Sequence, residues 1–176
     1  ITVKIFNQKK LFFIKNINQN NLYNVLACIG IIYSVGELKN LSRNSFIKFK
    51  NPKGRGDISK IYLDNKKIYL VDETYNSNPL SLKTAIENYD KIKTKNSKKY
   101  LILGDMLELG NHSLKQHKLI STILNKTKIN QVYVVGKYIK KTFGGLKPNK
   151  KAKILNNKLD IFDLINKDLN NNDYLM

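Results

Sequence analysis

The densest group of reactive side chains is Val71-Asp72-Glu73-Thr74-Tyr75-Asn76-Ser77-Asn78-Pro79, which gathers two carboxyls and two amides within a few residues. A strand-like run precedes it and a helical pattern follows. It therefore falls at the carboxyl end of a strand, where open α/β sheets bind ligands. The same residues suit a local role: Asn78 before Pro79 can cap a helix, and Asp72 and Glu73 would complement that helix's N-terminus. Spacing alone leaves both readings open. A second acidic group, Gly104-Asp105-Met106-Leu107-Glu108-Leu109-Gly110, also lies between a strand and a helix. His112 and His117 do not have the i, i+4 spacing of a zinc pair on a helix, so His117 reads as helix packing. Gly144-Gly145 reads as a turn, and no Gly-x-x-x-x-Gly-Lys-Ser/Thr phosphate loop occurs in these residues.

These groups need a scaffold, and the hydrophobic pattern supplies one. Strand-like runs at 67–71, 100–103, 132–135, 153–155 and 173–176 alternate with helical patterns at about 80–93, 113–126 and 158–169. That order predicts an α/β fold, a mostly parallel sheet with helices on its faces. Upstream, runs at 1–6 and 11–15 separated by Asn7-Gln8-Lys9-Lys10 predict a hairpin or sheet edge. Leu22, Val25, Leu26, Ile29, Ile32 and Tyr33 recur at helical steps, and Gly36 should end that helix. The stretch 22–35 is short of a bilayer span and reads as a buried helix. A short helix over 37–45 leads to Phe46-Ile47-Lys48-Phe49, after which the turn formers at 51–57 mark a domain boundary.

Composition narrows the function classes. The chain has 176 residues, 41% of them hydrophobic, enough for a domain core and part of another. Its formal charge of +19 would attract polyanions. Only Arg43 and Arg55 among the 32 basic residues are arginine, however, and nucleic-acid readers favour the arginine fork. Lys, Asn and Ile share A/T-rich codons, so codon bias accounts for the charge, and no nucleic-acid partner is expected. Cys28 stands alone, which excludes a disulfide framework and suits a reducing cytoplasm. The N-terminal residues lack the regions of a signal peptide, and no membrane insertion is expected. Beginning without Met and stopping on Asp173-Tyr174-Leu175-Met176, the sequence reads as a fragment.

Asp72 to Pro79, followed by Ser81, Ala85 and Ile86, closely resembles the Asp-Asp/Glu-Ser-Tyr-Asn-Ala-Asn-Pro segment of the Mur ligase family, in the branch that adds D-alanyl-D-alanine. Leu103 to Gly110 with Ser113 and His117 resembles that branch's Leu-Gly-Asp-Met-x-Glu-Leu-Gly-x-x-Ser-x-x-x-His stretch. Asn20-Asn21-Leu22-Tyr23-Asn24-Val25-Leu26-Ala27 is similar to the family's His-Asn-x-x-Asn-Ala-Leu-Ala helix start, and Gly54-Arg55 to the Gly-Arg that opens its C-terminal domain. Asn20 departs from the usual His, Val25 from Ala, and Glu73 from the Asp of many members.

The resemblance implies a Rossmann-like C-terminal domain over 51–176, truncated at its end, and the tail of a central α/β ATPase domain over 1–50. It implies ATP as cofactor: Asn24 at the adenine, Arg55 at the phosphates and Glu73 near the ribose. Asp72 would cap or orient, and Asn76 would shape the loop, with ligand contact left open for both. Asp105 and Glu108 would face an inter-domain cleft on the side that receives the dipeptide. Mg2+ is expected, with its ligands mainly outside these residues. The implied partners are UDP-N-acetylmuramoyl-tripeptide and D-alanyl-D-alanine, and the implied enzyme is a cytoplasmic monomer. A guanidinium suits phosphates because it makes bidentate, charge-assisted contacts that lysine cannot. In a lysine-rich chain, an arginine between two glycines in a hinge-like turn is more than surface charge. Two other classes stay open: a related amide ligase for a different amino acid, and a basic, non-enzymatic nucleic-acid-binding α/β module.

Overall fold

The computed structural model describes the backbone of residues 1–15, 19–49, 52–63 and 66–176, and the side chains of these except 19–21 and 158. Asn51, which opens the predicted boundary turn, and the side chains of Asn20 and Asn21 lie outside that description. The chain forms two compact units, Ile1–Pro52 and Lys53–Met176.

In the first unit β1 (Thr2–Ile5) and β2 (Gln8–Leu11) pair antiparallel, Thr2 opposite Leu11 and Ile5 opposite Gln8. The turn is thus Phe6-Asn7, and Gln8 to Lys10, predicted as the turn, are strand. Phe6 takes a positive φ of 47° there, which a two-residue hairpin connection favours. Helix α1 (Gln19–Ser34) lays Val25 and Ile29 against Phe12 and Leu38, with Phe46 meeting Phe12 edge to face at 5.4 Å. Gly36 (φ 79°) ends it as predicted. The helix is not buried all round: Tyr23 and Ile31 are each more than half exposed. The helix predicted over 37–45 shrinks to a single 3-10 turn, Leu38–Asn40.

The second unit is a six-stranded sheet in the order β3-β4-β8-β5-β6-β7. Strands β4 (Lys66–Asp72), β5 (Lys99–Leu103), β6 (Gln131–Val134), β7 (Lys151–Ile154) and β8 (Tyr174–Leu175) are parallel, as expected. Side chains alternate between two buried faces. Leu101 and Leu103, with Val132 and Val134, pack under α2 (Pro79–Lys91) and α3 (Ser113–Leu124). Tyr100 and Tyr133 face the other way, toward Leu164 and Leu169 beyond α5 (Lys158–Asp163). Burial on both faces is what makes β5 and β6 read as continuous apolar runs.

Two elements were not legible. Edge strand β3 (Asp57–Leu63) pairs antiparallel with β4, and its mostly exposed residues give little apolar signal. Helix α4 (Lys140–Gly144) is too short for a periodic pattern, so Gly144 ends a helix and the predicted turn begins at Gly145. The helix predicted over 158–169 continues beyond α5 as a π-helical turn, Leu164–Asp168. Asp173 ties the loop that follows to the sheet, accepting the Lys98 and Asn170 N–H groups at 2.8 Å each. Among the described residues no helix is long and apolar enough to cross a membrane.

Candidate functional site

The pairing of β3 with β4 brings Gly54-Arg55-Gly56 back onto the end of β4. Gly56 N–H donates to the Asp72 carbonyl at 2.7 Å, and Tyr75 N–H donates to the Gly54 carbonyl at 3.2 Å. Gly54 sits at φ 76°, where a Cβ would come within 2.9 Å of the Tyr75 nitrogen, so a side chain there would break the join. Gly54 N–H also donates to the Asp57 carboxylate at 3.2 Å. The Arg55 guanidinium carbon lies 4.3 Å from the centre of the Tyr75 ring, the geometry of a cation–π contact. Arg55, Asp57, Asp72, Glu73 and Tyr75 therefore share one corner at the carboxyl end of β4.

The ligand and capping roles separate along the segment. Asn78 caps α2, its side chain accepting from Leu80 N–H at 3.0 Å and Ser81 N–H at 2.9 Å, while Ser81 Oγ accepts from Asn78 N–H. Asp72 is occupied locally by the Thr74 N–H at 3.1 Å and hydroxyl at 2.6 Å. Asn76 accepts from Ser77 N–H at 2.8 Å. Glu73 and Tyr75 are left with no part in the cap.

Half-burial raises the Glu73 carboxyl above its ordinary value. The charge of Asp72 adds to this, Arg55 draws it partly back, and Asp57 adds again. A carboxyl raised in the folded state binds more protons there than in the unfolded chain, so stability falls as pH rises from the ordinary value of 4.5 through the raised one. Glu73→Gln should therefore raise the melting temperature at pH 7 and lose that advantage at pH 4. Equal melting curves for the two proteins at both pH values would show that burial does not burden the ionised carboxylate.

The segment forms one wall of a cleft of about 650 Å³ within the second unit, over the carboxyl ends of β4, β5 and β8. Glu73, Tyr75 and Asn76 line one side, Gly104, Asp105 and Leu107 the other, and Leu101, Leu103 and Met176 are among its apolar residues. Asp105 touches this cleft, but its carboxylate is spent on structure. It accepts the Lys137 N–H at 2.8 Å and the Ile139 N–H at 2.7 Å. Gly136 (φ 135°) lets that turn approach, since a Cβ there would meet the Asp105 carboxylate at 2.6 Å. His117, fully buried, packs as predicted and does more: its Nε2 accepts the Met106 N–H at 3.0 Å while Nδ1 lies 2.7 Å from the Ser113 carbonyl. This fixes the neutral tautomer with the proton on Nδ1. Glu108 is exposed in a left-handed conformation, φ 61°, and does not line the cleft.

Asn24 is exposed on α1 of the first unit. Among the described residues no group of three or more His, Cys, Asp or Glu could hold a metal ion. Sequence reasoning passed over Tyr75, Asp57 and Gly136. The partners of Tyr75 and Gly136 are distant in sequence, Asp57 accepts from the nearby Gly54 N–H, and the strand that delivers Arg55 to Tyr75 has weak periodicity.

No family profile matches the chain. Curated relatives do. The chain is 33% identical over 134 residues to the UDP-N-acetylmuramoyl-tripeptide–D-alanyl-D-alanine ligase of Rickettsia prowazekii, covering 76% of this chain and 28% of that protein. It is 32% identical over 124 residues to the ligase of the same name from Buchnera aphidicola subsp. Baizongia pistaciae, covering 69% of this chain and 25% of that one. The chain belongs to the Mur ligase family. It spans about a quarter of the length of these relatives. Solved Mur ligases share the fold. MurF of Thermotoga maritima, a complex with ADP, matches 90% of this chain and 34% of its own at TM-score 0.71 and 24% identity. A crystal structure of MurF from Acinetobacter baumannii matches 99% of this chain and 38% of its own at TM-score 0.73 and 18% identity.

Proposed function

We propose that this chain is the nucleotide-facing C-terminal part of an ATP-dependent Mur ligase that joins D-alanyl-D-alanine to UDP-N-acetylmuramoyl-tripeptide in the cytoplasm. The observation that carries the reading is the corner formed by Gly54-Arg55-Gly56, Glu73 and Tyr75 at the carboxyl end of β4. It sets an arginine beside a half-buried carboxyl on the edge where α/β sheets take ligands. Residues 1–50 would be the end of the ATPase domain and 51–176 the C-terminal domain.

In this reading Arg55 meets the ATP phosphates. Glu73 accepts from the ribose hydroxyls, and its carboxylate form is the better acceptor. Asn24, exposed on its helix, pairs with the adenine. Asp72 and Asn76 hold the loop in shape. Asp105 orders the 136–139 turn and so builds the cleft wall, leaving Glu108 as the acid of that loop open to the dipeptide side. The reaction activates the tripeptide's terminal carboxylate as an acyl phosphate, which the dipeptide amine attacks with release of phosphate. Catalysis of this kind rests on positioning and on cations at the transferring phosphoryl group. Mg2+ would supply part of that charge from ligands outside these residues.

The test is ligation. The full-length protein should form UDP-N-acetylmuramoyl-pentapeptide from ATP, the tripeptide precursor and D-alanyl-D-alanine, with ADP released in equal amount. The purified 176-residue chain, which contains no phosphate loop, should form none. Ligation of single amino acids in preference to the dipeptide, or turnover by the chain alone, would overturn the reading.

A further inference from the structure

We propose that His117 is the positioning residue for the dipeptide side of the cleft, pinning Met106 so that the 104–110 loop keeps the course that walls it. This rests on the reading of that loop as the side that receives D-alanyl-D-alanine. The loop runs from the end of β5 to a 3-10 turn, Gly110–His112, and its Gly104, Asp105 and Leu107 line the cleft. Leu107 is 73% exposed, and Glu108 and Gly110 take positive φ values of 61° and 51°, so regular structure does not hold this stretch. Met106 is its anchor. Its side chain is buried in the core beneath α2 and α3, and its N–H donates to His117 Nε2 at 3.0 Å.

The imidazole is aimed by its own helix. Nδ1 lies 2.7 Å from the Ser113 carbonyl one turn earlier, which takes its proton and leaves the Nε2 lone pair directed at the loop. The Asp105 carboxylate, 4.0 Å from the same Nε2, accepts instead from the Lys137 and Ile139 N–H groups. The His117 carbonyl accepts the Thr142 hydroxyl from α4, so one residue joins the loop to two helices. An aliphatic side chain would fill the same space against the core, but only an acceptor at the Nε2 position satisfies the buried N–H of Met106. Without it that donor bears its full desolvation cost. The loop would then favour conformations that turn the Met106 N–H toward water, and Asp105 and Leu107 on either side would follow.

The test uses the full-length enzyme and separates KM for the dipeptide from KM for ATP. A glutamine oxygen reaches the position of Nε2, whereas an asparagine reaches only that of Nδ1. His117→Asn should therefore raise the dipeptide KM by about five- to tenfold, as the loop is less often in its competent form, and leave the ATP KM within about twofold. His117→Gln should keep both within about twofold. The imidazole 15N shifts of the wild-type enzyme need no variant: Nε2 should resonate as an unprotonated acceptor at pH 7. Should asparagine prevent folding, glutamine and the ring shifts decide. Two failures are distinguishable. If the wild-type enzyme does not ligate the dipeptide, the proposed function falls and this inference with it. If it does, and asparagine leaves the dipeptide KM unaltered or raises both KM values together, or glutamine is as harmful as asparagine, the positioning role alone is overturned. A proton on Nε2, drawn there by Asp105, would overturn it as well.

Discussion

Arg55→Lys in the full-length protein should lower kcat/KM for ATP by about 10- to 100-fold, while Lys115→Ala or Lys141→Ala changes it by less than twofold. Each hydrogen bond from a cation to a charged group contributes about 1.5–3 kcal/mol, and the change removes one arm of a fork. An ammonium keeps the charge but is a point donor, and it also lacks the flat face that stacks on Tyr75. Lys115 and Lys141 are exposed, and one charge among so many shifts only a screened, long-range field. Arg55→Ala should cost more than lysine, since the charge goes too. Steady-state kinetics over a range of ATP concentrations checks all four. If lysine serves as well as arginine, the contact is not bidentate, and if alanine also serves as well, the Gly-Arg-Gly turn has no phosphate role.

The parts of the fold that could be read in the sequence were those written in periodic apolar side chains. Leu101 and Leu103 against one layer and Tyr100 against the other give β5 an unbroken hydrophobic run, and α2 and α3 repeat every three or four residues. Strand β3 hid because it is an edge: Ile58 and Tyr62 are exposed, and only Ile61 and Leu63 turn toward the core. At the site, residue types showed which segments carry polar chemistry but could not divide the labour within them. Asn78 took the cap because its position precedes Pro79, a local fact. The support that Asp105 gives the 136–139 turn could not be read, because the residues it serves, Lys137 and Ile139, lie more than thirty positions away. The same distance problem concealed Tyr75 as the partner of Arg55.

Asp105 also sets the largest expected effect on stability, through a residue it never bonds. Gly136→Ala should destabilise the second unit by about 2–6 kcal/mol, from two sources. At φ 135° an alanine is held in a region essentially reserved for glycine, a strain of about 1–3 kcal/mol. Its methyl would also lie 2.6 Å from the Asp105 carboxylate carbon, and the short aspartate side chain cannot retreat while it accepts from Lys137 and Ile139. Retreat would strip the acceptor from the N–H of Ile139, a fully buried residue, at about 1–3 kcal/mol. Gly144→Ala is the control, because it ends α4 with nothing within 4 Å of an added Cβ, and it should be neutral or slightly stabilising. Chemical denaturation of the two variants and of Asp105→Ala gives the comparison. Combining Gly136→Ala with Asp105→Ala should cost less than the sum of the two, because removing the carboxylate also removes the clash. Strict additivity would mean that the turn at 136–139 does not depend on Asp105. The wall of the cleft opposite Glu73 would then need another support.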